Sequence, residues 1–237
     1  MKCLDLTLPT PEANLACDEA LLDACEDGAG DEVLRFWEPQ DYFVVVGYSN
    51  HISIEVDVAA CQREKLGVYR RCSGGGTVLQ GPGCLNYSLI LKIDGNDALQ
   101  NISAANCHIM ARHRGGLSAL LGRPIRLQGH TDLSLGELKF SGNAQRRKRR
   151  ALIFHGTFLL HFNLELMEKF LPMPSRQPDY REGRPHKAFL MNLPLSAETV
   201  KTALRQIWSA ERTLEILPDY ERLLREKYSL DEWNSKF

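Results

Sequence analysis

The segment Arg70-Arg71-Cys72-Ser73-Gly74-Gly75-Gly76-Thr77-Val78-Leu79-Gln80-Gly81-Pro82-Gly83-Cys84-Leu85-Asn86-Tyr87-Ser88 carries the strongest local signal in this chain of 237 residues. Three consecutive glycines permit positive φ and leave backbone N–H groups uncovered, so the chain can wrap around an anion. The two arginines before them supply forked donors for phosphate or carboxylate. Neither standard phosphate loop fits. A Walker loop needs Gly-Lys-Ser/Thr, and no lysine follows until Lys92; the dinucleotide fingerprint needs a glycine where Leu79 stands. The alternative is a glycine-rich turn between two strands with solvated arginines.

Outward from this segment, Val68–Cys72 and Leu85–Leu91 read as strands, as do Glu32–Trp37 and the nearly continuous apolar run Tyr42–Val46. Thr10 and Pro11 form a helix start that leads into Asn14–Glu26. Val56–Leu66 reads as a helix ended by Gly67, and Ala104–Leu121 as a helix weakened at Gly115-Gly116. Further strands are expected at Ile125–Leu127, Glu137–Ser141 and Leu152–Phe162, and helices at Leu164–Phe170, Glu198–Trp208 and Tyr220–Tyr228. Strands close enough to be hairpin partners, flanked by helices, favour an α+β fold over a strict βαβ repeat. A single domain over 1–237 is expected, with 196–237 a helical C-terminal extension.

Composition narrows the function class. The chain is 43% hydrophobic and 25% charged with net charge -1, an ordinary globular balance that argues against a dedicated nucleic-acid binder. No apolar run approaches the roughly 18–20 residues of a membrane helix, and the N-terminal stretch lacks the apolar region of a secretory signal. Seven cysteines, all in the first half, form no C-x-x-C pair. They are expected to be free thiols in a reducing cytoplasm. Charge is uneven: residues 1–64 hold 14 acidic and 3 basic residues, whereas 139–150 hold six basic and no acidic ones. The run Arg146-Arg147-Lys148-Arg149-Arg150 reads as a solvated loop between strands, with a binding module for an acidic partner or nucleic acid as the alternative.

Two further constellations carry chemistry. In Lys139-Phe140-Ser141-Gly142-Asn143-Ala144, strand alternation puts Lys139 and Ser141 on one face and Phe140 on the other. A lysine followed by a Ser-Gly turn suits a charge aimed into a pocket; a surface lysine on an edge strand is the alternative. His155-Gly156-Thr157 lies inside a long apolar strand, where a histidine is either a catalyst or a hydrogen-bonded structural residue.

Taken together, Arg-Arg-x-Ser-Gly-Gly-Gly-x-Val from Arg70, Asp132-Leu133 followed by Lys139-x-Ser141-Gly142-x-Ala144-x-Arg146, and His155-Gly156-Thr157-x-Leu159-Leu160 resemble the lipoate–protein ligases. These belong to the superfamily of biotin and lipoate ligases and octanoyltransferases. Asn14-Leu15-Ala16 with Asp18-Glu19, Phe36-Trp37, Val45-Val46-Gly47 and Met191-Asn192-Leu193 extend the likeness over roughly residues 8 to 195. The resemblance implies a central mixed, largely antiparallel sheet flanked by helices. It implies ATP-dependent activation of lipoate or octanoate to acyl-AMP, with Mg²⁺ carried mainly by phosphate oxygens, and transfer to a lysine of a lipoyl-carrier domain or H protein-like acceptor. Arg71 and the Gly76, Thr77, Val78, Leu79 backbone would hold the nucleotide, and Lys139 would bridge carboxyl and phosphate oxygens. Lipoate would meet Arg70, Ser73, Gly74, Gly75, Lys139, Ser141, Gly142, Asn143, Ala144, His155, Gly156 and Thr157, its chain in an apolar slot.

The sequence also departs from that pattern. Gln80-Gly81-Pro82-Gly83 stands where the ligases often show His-Asp, and Gly-Pro-Gly here looks more like the octanoyltransferases. His130-Thr131 precede Asp132 where Arg-Asn is common. A small C-terminal accessory domain is not expected within these residues, so a separate accessory subunit is. The competing reading is an octanoyl or lipoyl transferase that takes its acyl group from a carrier-protein thioester without ATP. Such enzymes use a cysteine thiolate, for which Cys72 and Cys84 are the candidates near the motifs; both are expected to be buried small hydrophobes.

Overall fold

The computed structural model describes residues 1–237. Its strands are β1 (Lys2–Asp5), β2 (Val33–Trp37), β3 (Phe43–Val46), β4 (Gly67–Arg70), β5 (Val78–Gln80), β6 (Cys84–Lys92), β7 (Ile125–Gln128), β8 (Asp132–Leu135), β9 (Leu138–Arg147), β10 (Ala151–Leu159) and β11 (Arg212–Thr213). Its helices are α1 (Pro11–Glu26), α2 (Ile52–Glu55), α3 (Val58–Arg63), α4 (Ile102–Leu121), α5 (Glu165–Phe170), α6 (His186–Phe189), α7 (Ala197–Trp208), α8 (Tyr220–Leu223) and α9 (Asp231–Asn234). Eight strands form one sheet in the order β11-β1-β2-β6-β10-β9-β8-β7, and β4-β3-β5 form a second. In the large sheet only the β11-β1-β2 edge is parallel. The fold is thus α+β with a mixed, largely antiparallel sheet.

Alternation along the strands separates the two faces of the large sheet. Leu34, Phe36, Leu85, Tyr87, Leu89, Leu152, Phe154 and Phe158 are buried with Ile109 and Leu117 of α4 and Val200 and Leu204 of α7 in one core. The opposite face is covered by α1 and, beyond it, by the small sheet; Ile90 and Ile153 pack there with Leu21 and Leu22. Thr10 caps α1, its hydroxyl accepting from the Ala13 N–H at 3.2 Å, with Pro11 at the first helical position.

Several expectations are corrected. The helix expected over Val56–Leu66 is shortened to α3, which starts after Asp57, whose carboxylate caps it by accepting from the Ala60 N–H at 2.8 Å; α2 precedes it. Gly115-Gly116 do not weaken α4, since a side chain at Gly116 would strike Ile207 of α7: the glycine is a packing contact. Segment 196–237 is helical in α7, α8 and α9 but also supplies β11 and the core residues Val200, Ala203, Leu204 and Trp208. The strands β1, β5, β8 and β11 add to those expected.

The basic run is a solvated turn only at Arg149-Arg150. Arg146 and Arg147 lie within β9. Arg146 pairs with Glu19 at 3.4 Å, and Lys148 with Asp23 at 2.6 Å. Arg147 donates to the Leu99 and Gln100 carbonyls. The N–H groups of Arg149, Arg150 and Ala151 donate to the Glu26 carboxylate. Acid-rich α1, far away in sequence, therefore neutralises Arg146 and Lys148, while Arg150 pairs with Asp94 at 3.2 Å. No helix is long and apolar enough to cross a membrane.

Candidate active site

The registers of β2, β6, β10 and β9 place two rows of side chains under α1 and the small sheet. One row is Arg35, Ser88, His155 and Ala144; the next is Trp37, Asn86, Thr157 and Gly142. All of these but Arg35, with Val45, Val78 and Leu79 of the small sheet, line a cavity of about 930 Å³. That is within the size range of small-molecule sites.

Part of the floor of this cavity is polar and internally paired, while Leu15, Leu159, Met167, Leu171, Phe189 and Leu190 give it apolar walls. Asp18 of α1 is its hub. It accepts from Arg35 at 2.5 Å and from Ser88 Oγ at 2.8 Å, and lies 3.7 Å from His155 Nδ1. Burial works to raise the Asp18 carboxyl, but Arg35 and His155 outweigh it and hold the group below the usual carboxylate range. A second set joins Gln80, Thr157 and Asn86: Gln80 Nε2 donates to Thr157 Oγ1 at 2.7 Å, and Asn86 Nδ2 to Gln80 Oε1 at 3.0 Å. Trp37 Nε1 and Ser141 Oγ are buried without a partner.

The glycine loop rises over the mouth of this floor. Its carbonyls are fastened one after another: Cys72 O accepts from Arg146, Ser73 O from the Tyr48 N–H, Gly74 O and Gly76 O from Arg71, and Gly75 O from Asn50 Nδ2. Gly75 has φ +87°, and a side chain at Gly47 would collide with the Gly75 carbonyl, so both glycines are required by this close approach. With five carbonyls turned to protein donors, the N–H groups of Gly74, Gly75 and Gly76 donate to no protein acceptor. A run of free N–H groups of this kind is an anion cradle. Ser73 Oγ lies 2.5 Å from His155 Nε2, tying the loop to β10. His155 thus lines the cavity and is also a hydrogen-bonded structural residue.

Lys139 stands across the cavity, where its ammonium meets Asp132 Oδ1 at 2.9 Å. The hydroxyl of Tyr180 donates to the other oxygen of Asp132 at 2.7 Å. Lys139 and Ser141 both line the cavity while Phe140 is in the core, as alternation requires.

Of the residues expected in the site, Arg71, Gly76, Thr77, Val78, Leu79, Lys139, Ser141, Gly142, Asn143, Ala144, His155, Gly156 and Thr157 line the cavity. Arg70, Ser73, Gly74 and Gly75 do not. Arg70 is fully buried and its guanidinium donates to the Gly47, Tyr48, Asn50 and Trp233 carbonyls, so it cannot take an acyl carboxylate. Adjacent residues of a strand point to opposite sides, which is why only one of the two arginines reaches the cavity. Arg71 is itself largely an organiser of the loop; burial pulls it down to about 10, which leaves it charged at neutral pH. Asp18, Trp37, Gln80, Asn86, Ser88, Asp132 and Tyr180 also line it. A sequence signal for two of them existed: Asn86 and Ser88 alternate with apolar residues in β6.

All seven cysteines are free and none lines the cavity. Burial pushes the Cys72 and Cys84 thiols up to about 12. Both are inert packing residues, as expected.

Residues 10–205 match the lipoyl protein ligase A/B catalytic domain. The chain belongs to that family. Among its relatives, an octanoyltransferase LipM of Lysinibacillus sphaericus is 28% identical, over 96% of this chain and 95% of that protein. A lipoate-protein ligase A subunit 1 of Thermoplasma acidophilum is also 28% identical, over 97% of this chain and 95% of its own length. A crystal structure of lipoate-protein ligase A bound with ATP superposes with a TM-score of 0.81 at 25% identity, covering 99% of each chain. The family therefore includes both ATP-dependent ligases and acyl transferases, and the chain resembles members of each.

Proposed function

We propose that this member of the family is a lipoate–protein ligase that activates lipoate, or octanoate, with ATP. The observation that carries the reading is a charge arrangement without a thiol. The glycine loop offers free N–H groups, Lys139 faces the cavity, and no cysteine lines it. Thioester transfer needs a nucleophile there; attack on a phosphoryl group needs fixed positive charge. The likeness to a ligase structure holding ATP supports the same reading.

In the proposed reaction a carboxylate oxygen of the acid attacks the α-phosphorus of ATP, and the bond to pyrophosphate breaks. Lys139, released from Asp132, stabilises the charge shared by the carboxyl and phosphate oxygens. Arg71 and the backbone from Gly76 to Leu79 hold the nucleotide. The amine of an acceptor lysine then attacks the acyl carbonyl, AMP leaves, and the amine gives up its proton. Ser141, Gly142, Asn143, Ala144, His155, Gly156 and Thr157 shape the acyl side. No three His, Cys, Asp or Glu side chains are grouped to hold a metal ion. Mg²⁺ would therefore arrive on the phosphates, with Asp132 the carboxylate nearest Lys139. The acceptor would be a lipoyl-carrier domain or H protein-like protein. The relative named subunit 1 of a ligase supports an accessory subunit as a further partner.

The kinship with octanoyltransferases keeps one competitor. The test is intact-mass analysis of an apo acceptor domain, incubated with lipoate and MgATP in one tube and with octanoyl carrier protein in another. Acylation in the first is expected, and Lys139→Ala should lower its rate by about 10²–10³. Acylation in the second alone would replace the ligase with the transferase.

A further inference from the structure

We infer that the segment Lys227–Phe237 is a strap that positions the glycine loop from outside the cavity, with Arg70 and Trp233 as its positioning residues. Its kinetic consequence rests on the ligase reading above; its conformational consequence does not.

The strap lies along β4, the edge of the small sheet, whose unpaired backbone groups would otherwise face solvent. The Arg70 N–H donates to Asn234 Oδ1 at 3.0 Å, and the Arg70 carbonyl accepts from Trp233 Nε1 at 2.9 Å. The Arg70 guanidinium returns a bond to the Trp233 carbonyl at 3.1 Å and lies 5.4 Å from the centre of the Phe237 ring. Phe237 also packs against Tyr48 and His51, and its carbonyl accepts from the Ile52 N–H at 3.1 Å.

What Arg70 then grips is the loop under the glycines. It donates to the carbonyls of Gly47, Tyr48 and Asn50 at 2.9, 3.1 and 2.9 Å. That same loop supports the glycine segment: the Tyr48 N–H donates to Ser73 O at 2.8 Å, and Asn50 Nδ2 to Gly75 O and Thr77 Oγ1. A second route starts at the other end of the strap. Lys227 Nζ and Tyr228 OH both donate to Glu19 at 2.6 Å. Glu19 pairs with Arg146, which donates to the Cys72 carbonyl at 3.1 Å.

Three of the five carbonyls whose inward turn frees the cradle N–H groups are thus held by residues that the strap holds in turn. Buried Arg70 has no acidic partner; its bonds are all to carbonyls. Such a cation is kept in place by geometry, and the geometry includes Trp233. None of these strap residues lines the cavity, so the strap sets the shape of the anion site without touching a ligand.

The test uses Trp233→Phe, which keeps a smaller aromatic ring against Tyr48 and Tyr228 and removes the indole N–H, together with Trp233→Ala. Three measurements are made on the full chain: thermal midpoint, hydrogen exchange at the Tyr48 amide, and steady-state kinetics with lipoate and MgATP. For Trp233→Phe the midpoint is expected to hold. Tyr48 exchange and the KM for ATP should each rise about five- to tenfold, with kcat within about twofold of wild type. Trp233→Ala should exceed these shifts. Wild-type exchange at Tyr48 with unchanged KM overturns the inference, and so does a fall in midpoint and kcat with KM untouched. If the wild-type protein turns over no acid with ATP, the ligase reading fails while Tyr48 exchange still decides the strap.

Discussion

The two faces of the large sheet are built from the same strands and have opposite character. In β6, Leu85, Tyr87, Leu89 and Leu91 enter the core beneath α4 and α7, whereas Asn86 and Ser88 between them face the cavity. In β10, Phe154 and Phe158 go one way and His155 and Thr157 the other. The apolar face gains stability by excluding water, and any group there can be replaced by another of similar shape. The cavity face carries linked hydrogen bonds around Asp18 and Gln80, in which removing one member strands its partners. One strand thus serves both stability and site because its side chains alternate.

Cutting into each face should separate these roles. The largest effect is expected from Phe154→Ala on the core face. Phe154 is fully buried, and the change should cost about 3–5 kcal/mol in urea unfolding, through lost burial and the cavity left behind. The kcat of the protein that remains folded should be unaltered. On the cavity face, Asp18→Asn leaves the Arg35 charge buried without its partner, at a cost of about 3 kcal/mol. It also releases Ser88 and His155 and should lower acylation as well. A change of under about 0.5 kcal/mol, as for an ordinary surface position, would show that Asp18 is not the hub of that face.

Much of this division was legible in the sequence because it depends on local periodicity. The start of α1, the strand around Leu85–Leu91, and the pairing of Lys139 with Ser141 on one face follow from neighbours within a few residues. What was not legible depends on distant partners. The acids that neutralise Arg146 and Lys148, and the carboxylate that caps the Arg149 and Arg150 N–H groups, sit on α1, more than a hundred residues away, so the run looked solvated throughout. Arg70 looked like a ligand group because its true acceptors are carbonyls, and one of these belongs to Trp233. Strand β8 is only four residues long and buries Ser134, leaving too short and too polar a pattern to read. The polar part of the cavity floor was not legible for a related reason: polar residues can line it once they satisfy one another, and that pairing runs between strands.

The smallest effect is expected from a fully buried titrating group on the core face, and it distinguishes the faces by pH. His113 of α4 is fully buried, its Nε2 accepting from Trp208 Nε1 at 2.9 Å and its Nδ1 without a partner. Burial, with some help from Arg112, lowers it to about 3. In the unfolded chain a histidine titrates near 6.5. Below that pH the unfolded state takes up a proton that native His113 refuses, so stability is complete above about 6.5 and falls as the pH is lowered. The slope is about 1.4 kcal/mol per pH unit until native His113 itself protonates. Asp18 and Glu19 act in the same direction but at lower pH. Both are held below the usual carboxylate range, so they stay ionised in native and unfolded chains alike until the pH falls near the ordinary carboxylate values of about 4. Between pH 6.5 and 5 the slope therefore reports histidines, with His108 and His186, also lowered by burial, adding to it. His113→Gln keeps an acceptor for Trp208 and removes the titration. Urea midpoints at pH 7, 6 and 5 should decline less steeply in this variant by about 1.4 kcal/mol per unit. Parallel lines for the variant and the wild type would mean that the core face carries no acid-sensitive group, and that acid lability belongs to the cavity face alone.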